Sequence, residues 1–123
     1  MSNDPDAAGR ATRFVEEMWE KFNEGDVSVA PDTFVYNSLL DAWHRSSSPD
    51  AGKKAEGILL EMWQMHSKKP RLRIKPDERS RRLVINTCTK SDGPSGTARA
   101  TRIVGEMQEK YTTGGGGQSA ALY

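Results

Sequence analysis

This chain repeats itself, and no other feature constrains its fold as strongly. Ala11-Thr12-Arg13-Phe14-Val15-Glu16-Glu17-Met18 returns as Ala55-Glu56-Gly57-Ile58-Leu59-Leu60-Glu61-Met62 and again as Ala100-Thr101-Arg102-Ile103-Val104-Gly105-Glu106-Met107, at offsets of 44 and 45 residues. A second element keeps the same period of 45: Pro31-Asp32 followed by Tyr36-Asn37-Ser38-Leu39-Leu40-Asp41-Ala42-Trp43, then Pro76-Asp77 followed by Arg81-Arg82-Leu83-Val84-Ile85-Asn86-Thr87-Cys88. A period of this length is characteristic of repeat architectures, in which each unit buries its apolar face against its neighbours.

The repeated elements are helical. Apolar residues fall at i, i+3, i+4, i+7 in Ala11, Phe14, Val15, Met18, in Tyr36, Leu39, Leu40, Trp43, in Ala55, Ile58, Leu59, Met62 and in Ala100, Ile103, Val104, Met107. That spacing is one face of an α-helix, and no sustained alternation suits a strand. Asp32 and Asp77, each after a proline, are placed to cap helix N-termini by accepting unpaired backbone N–H groups. Pro49-Asp50 and Gly93-Pro94-Ser95-Gly96 mark further boundaries. The expectation is an all-α fold of five helices near 7–24, 33–46, 51–67, 78–90 and 96–111, arranged as an α-solenoid. An orphan helix comes first, followed by antiparallel helical hairpins in repeats 31–75 and 76–111. Residues 1–6 are expected to be disordered, and the Gly-rich tail 112–123 flexible. Two and a half repeats leave the first helix with an uncovered apolar flank. Such a flank suits a fragment, further repeats or self-association through the terminal helices.

Composition narrows the functional classes. A chain of 123 residues is sized for one domain, and no run approaches the ~18 apolar residues of a membrane span. The first residues, Met1 to Asp6, have neither the pattern of a secretory signal nor that of an organelle transit peptide. One cysteine, Cys88, excludes an internal disulfide, and with two histidines it cannot complete a zinc site without several carboxylates. The near-neutral net charge of +1 conceals a polarity: residues 1–32 carry eight acids and three bases, residues 67–123 five acids and twelve bases. Eight of those bases, Lys68, Lys69, Arg71, Arg73, Lys75, Arg79, Arg81 and Arg82, lie within fifteen residues. Two readings stand for this segment: attraction of phosphate by counterion release, or a solvated insertion loop.

Pro-Asp, Tyr-Asn-Ser-Leu-Leu-Asp-Ala-Trp, a turn, then Ala-x-x-Ile-Leu-x-Glu-Met and a further Pro-Asp together resemble the pentatricopeptide repeat over about residues 10–110. That family usually repeats every 35 residues, so this chain resembles a long-period variant with its excess in the turns. The resemblance implies a right-handed superhelix binding single-stranded RNA at one base per repeat. It implies a base read by Asn37 together with Asp77, a pair similar to the family's uridine-preferring combination, with Phe34 wedged between neighbouring bases. Asp32 would close a preceding repeat. The second repeat departs from the pattern, with Arg82 for Asn37, Arg81 for Tyr36 and Arg79 for Phe34, which implies an electrostatic contact there. Arg45 and Lys90 match positions that contact phosphates in the family, or serve as plain surface residues. Family habit implies RNA processing or stability in a mitochondrion or plastid.

The remaining singular residues point to packing. Trp19, Trp43 and Trp63 sit at helical spacing suited to contacts between hairpins, and Met18, Met62 and Met107 to the core. Cys88 aligns with Trp43 and reads as a buried thiol. His44 and His66 share no metal-ligand spacing. No catalytic constellation or phosphate-cradling glycine loop appears, so neither enzyme activity nor a cofactor is expected. The rival expectations are a tetratricopeptide-like protein-interaction scaffold and a truncated, non-functional fragment. The bulky Tyr36 and Leu40 and the Pro-Asp before each unit weigh against the scaffold.

Overall fold

A computed structural model of the chain describes residues 7–112. The N-terminal segment 1–6 and the tail from residue 113 onward, expected to be disordered and flexible, lie outside the described residues, whereas Thr112 still belongs to a helix. The described chain is all-α. It comprises α1 (Ala7–Asn23), a short 3-10 turn (Val27–Val29), α2 (Thr33–Arg45), α3 (Ala51–Lys68) and α4 (Glu78–Thr112), with no strand among the described residues. No helix among them is long and apolar enough to cross a membrane.

Local chemistry sets the helix ends. The Asp32 carboxylate accepts from Val35 N at 2.9 Å, and Asp77 Oδ1 from Ser80 N at 3.0 Å, so both proline-preceded aspartates cap as expected. Asp50 makes no such bond. The turn before α3 is instead held by serines: Ser46 Oγ accepts from Ser48 N and Ser48 Oγ from Asp50 N, at 3.0 and 3.1 Å. Lys90, one turn from the end of the first arm of α4, donates its ammonium to the His44 carbonyl near the end of α2 at 2.9 Å. A cation there meets the negative end of the helix dipole.

Four helices stand where the sequence pattern predicts five. The connection expected at 91–95 shrinks to a single non-helical residue inside α4, Gly93, at φ 70 and ψ -152. A positive φ is accessible to glycine without steric penalty, and Pro94 opens the next turn, where its missing N–H is no loss. The two arms, 78–92 and 94–112, then pack tightly at the bend. A Cβ on Gly96 would stand 2.3 Å from the Cys88 carbonyl oxygen and 2.7 Å from Asp92 Cβ.

α2 packs against α1, α3 and α4, and α3 against α2 and α4. One apolar cluster joins the helices: Val15 of α1, Tyr36, Leu39 and Leu40 of α2, Ala55, Leu59, Met62 and Trp63 of α3, and Val84, Cys88, Ala100 and Val104 of α4. Each fully enclosed side chain of Leu or Val size contributes about 1.5–3 kcal/mol. Trp63 is buried and stacks on Tyr111 of the second arm, with ring centroids 5.9 Å apart and planes 8° apart. Trp19 and Trp43 are half-buried, donating their indole N–H groups to Tyr36 Oη at 2.8 Å and Thr12 Oγ1 at 3.3 Å. Tyr36 passes the chain on, its hydroxyl donating to Glu61 Oε2 at 2.5 Å. The tryptophans pack between helices, as their spacing predicts. Phe14 departs from its predicted place on the buried face of α1. It is 60% exposed, because none of the described helices covers that side of α1.

Candidate nucleic-acid interface

The start of α2 and the start of α4 are brought together by residues forty positions apart. Asn37 Nδ2 donates to Asp77 Oδ1 at 3.2 Å, with Oδ2 at 3.5 Å. A carboxylate only accepts, which fixes the amide with its nitrogen toward Asp77 and its oxygen away. That oxygen accepts from the Ser80 hydroxyl at 2.5 Å. Asp77 Oδ1 also lies 2.9 Å from Ser80 Oγ, and Asp77 N donates to Ser80 Oγ at 3.1 Å. Partial burial works against ionisation of Asp77, but donation from Ser80 N and the Asn37 amide, with the Ser80 hydroxyl close by, outweighs it. Its carboxyl is held below the usual carboxylate range.

Asn37 and Asp77 therefore lie in hydrogen-bond contact, and they differ in exposure. Asn37 is only 6% exposed, and its carbonyl is closed by Ser80. An amide so enclosed cannot offer its whole edge to a base. Asp77 is the exposed member, and its Oδ2 makes only the long contact with Asn37. Asn37 thus anchors the Asp77 carboxylate from beneath through its amide N–H. Ser80 is fully buried and is not among the residues that the repeat pattern singles out. Its signal was present as a side chain able to bond three residues after an N-cap aspartate.

Phe34, in the first turn of α2, is 77% exposed, as a stacking residue needs to be. Next to it, Thr33 ties down the basic segment: Thr33 N donates to the Arg73 carbonyl at 2.8 Å, its hydroxyl reaches the Arg73 and Lys75 carbonyls at 2.9 and 3.0 Å, and Lys75 N donates to Thr33 Oγ1 at 2.8 Å. Residues 72–77 then alternate in burial. Leu72 is half-buried and Ile74 and Pro76 are buried, while Arg73, Lys75 and Asp77 face solvent. The insertion is a pinned strap rather than a loose loop. Arg71, Arg73, Lys75 and Arg79 are exposed, with no carboxylate at ion-pair distance among the described residues. A surface cleft of about 390 Å³ runs between the strap and α1, lined in part by Arg71, Arg73, Phe22, Ser28 and Asp32.

The other expected contacts are engaged elsewhere. Arg82 pairs with Glu78 at 3.2 Å and Arg45 with the half-buried Asp41 at 3.1 Å, both surface i, i+4 pairs worth only a few tenths of a kcal/mol. Lys90 is committed to capping α2, and Asp32 to capping its own helix. Cys88 is a buried thiol whose pKa is pushed up to about 11 by burial and by Glu56, against the opposing pull of Arg99. No group of three or more His, Cys, Asp or Glu among the described residues is arranged to hold a metal ion. Comparison with protein-family models, with curated proteins and with solved structures returns no match for this chain.

Proposed function

We propose that this chain is a helical-repeat module of the pentatricopeptide kind that binds single-stranded RNA, its helices acting as stacked hairpins of an α-solenoid. The observation that carries the reading is the Asn37–Asp77 pair, joined at 3.2 Å across the two repeats beside an exposed Phe34 and a row of unpaired cations. In this reading the Phe34 ring stacks on a base. Asp77 Oδ2 accepts an N–H from the base edge, which the N3–H of uracil supplies. Arg71, Arg73, Lys75 and Arg79 carry the phosphates, in place of the Arg45, Lys90 and Arg82 contacts implied by the resemblance.

The magnitudes are modest. One stacked or hydrogen-bonded base is worth about 1–3 kcal/mol, so two repeats bind at about 2–6 kcal/mol in total, an affinity of tens of millimolar to tens of micromolar. Four phosphate contacts give a slope of log K against log salt of about -3 for a single strand.

The test is a titration of labelled oligo(U), oligo(A) and duplex RNA at two salt concentrations, with the Phe34→Ala and Arg73→Glu variants. Tighter binding of oligo(U) than of oligo(A) or duplex RNA, with oligo(U) affinity lowered about tenfold by Phe34→Ala, supports base stacking beside the Asp77 contact. Equal, salt-sensitive binding to all three RNAs reduces the interaction to charge attraction, and no binding to any of them refutes the proposal.

A further inference from the structure

The outer side of α1 carries an open cleft of about 190 Å³, lined by Phe14, Glu17, Met18, Lys21 and Val29. Counted along the internal repeat, the same positions one unit later are Ile58, Glu61, Met62, Met65 and Ile74. There they are covered. Met62 and Ile74 are fully buried, Ile58 and Met65 pack against the same core cluster, and Tyr36 of α2 belongs to that cluster with its hydroxyl on Glu61 at 2.5 Å. On α1, by contrast, Phe14 is 60% exposed, and nothing among the described residues does for segment 28–30 what Thr33 does for 73–75.

Charge distinguishes the two positions as well. The segment leading into α2 carries Glu24, Asp26 and Asp32 and no base, whereas its counterpart leading into α4 carries Lys69, Arg71, Arg73 and Lys75 with one acid, Asp77. An acidic edge favours the positive, N-terminal end of an incoming helix. The cleft itself exceeds the cavity of about 150 Å³ that holds a benzene molecule in an apolar core, so a phenol ring fits.

We propose that this face of α1 docks an amphipathic helix of the α2 type from a partner polypeptide. Its fourth residue is a tyrosine, seated in the cleft with its hydroxyl donating to Glu17. The partner helix starts against the acidic segment 24–32 and lays its apolar stripe on Phe14 and Met18. This inference concerns the side chains of α1 and does not depend on RNA binding.

The test uses the full chain, isotope-labelled for NMR, titrated with a peptide of residues 31–46 that is stapled on the face opposite its tyrosine so that it stays helical. Saturable shifts confined to Phe14, Met18, Val29 and their neighbours are expected. A Tyr36→Phe peptide should bind about tenfold more weakly, the effect of losing one hydrogen bond to a charged acceptor. Glu17→Ala in the protein should cause the same loss, with no further loss when the two changes are combined. Absence of saturable shifts up to millimolar peptide, or equal binding of a scrambled stapled peptide, overturns the proposal. So does concentration-dependent self-association that shifts these residues without peptide, which assigns the face to a second copy of the chain.

Discussion

Asp77→Ala should be among the most destabilising changes on the surface of this protein, although Asp77 itself is exposed. The substitution removes the N-cap bond from Ser80 N, a loss of about 0.5–2 kcal/mol. It also strips the acceptor from Asn37 Nδ2, and with Asn37 only 6% exposed that donor has little water to turn to, at a cost of about 1–3 kcal/mol. Ser80 Oγ keeps one partner, Asn37 Oδ1, so nothing is added for it. The sum is about 1.5–5 kcal/mol, of which solvent access at Asp77 favours the lower half. Urea unfolding followed by circular dichroism measures it. The pH dependence supplies a signature. The folded carboxyl is held below its unfolded value, so its stabilisation is present above the unfolded pKa of about 3.9 and fades as pH falls through the folded value. The gap between wild type and Asp77→Ala should therefore be full at pH 7 and narrow as the carboxyl is protonated in acid. A double-mutant cycle with Asn37→Ala should show a coupling of at least about 0.5 kcal/mol. A loss under about 0.5 kcal/mol at neutral pH, or additivity with Asn37→Ala, would refute the linkage between the two helix starts.

Phe34→Ala should leave stability within about 0.5 kcal/mol of wild type, because the ring is 77% exposed, while weakening oligo(U) binding about tenfold; parallel thermal melts and RNA titrations separate the two effects. Trp63→Phe should be tolerated far better than Trp63→Ala, because the indole N–H is buried without a partner, whereas loss of the whole ring stacked on Tyr111 costs about 3–5 kcal/mol by chemical denaturation. Gly96→Ala should destabilise by about 1–3 kcal/mol in the same assay, since its Cβ would press on the Cys88 carbonyl at 2.3 Å and backbone would have to move. The Cys88 thiol, with its pKa pushed up to about 11, should resist a thiol-specific chromogenic reagent at pH 8 until the protein is unfolded; prompt reaction in the native state would show that burial does not protect it.

Much of the candidate site was legible in the primary structure, though not its exposure. Asn37 and Asp77 were expected to meet, and they do, because the repeat period places the start of each unit beside the next and both residues sit at unit starts. That Asn37 would be the enclosed partner depends on Ser80 and on the packing of α4, which no local pattern specifies. Lys90 illustrates the same gap. Its place late in a unit was clear, but the His44 carbonyl that holds it lies 46 residues away and is available only because α2 ends there. The basic segment was conspicuous by composition, whereas its conversion into a pinned strap came from Thr33, a residue without a distinguishing sequence signal.

The amino-acid sequence alone determined the helices, their caps at Asp32 and Asp77, the break near Gly93 and the residues that form the apolar stripes, because each follows from interactions within a turn or two of backbone. Tertiary structure decided which stripe residues are covered, leaving Phe14 in water while its counterpart Ile58 packs on the core, and which polar groups find partners forty residues away. Periodicity records that a side chain faces one side of a helix. Whether a neighbour covers that side depends on the elements packed against it.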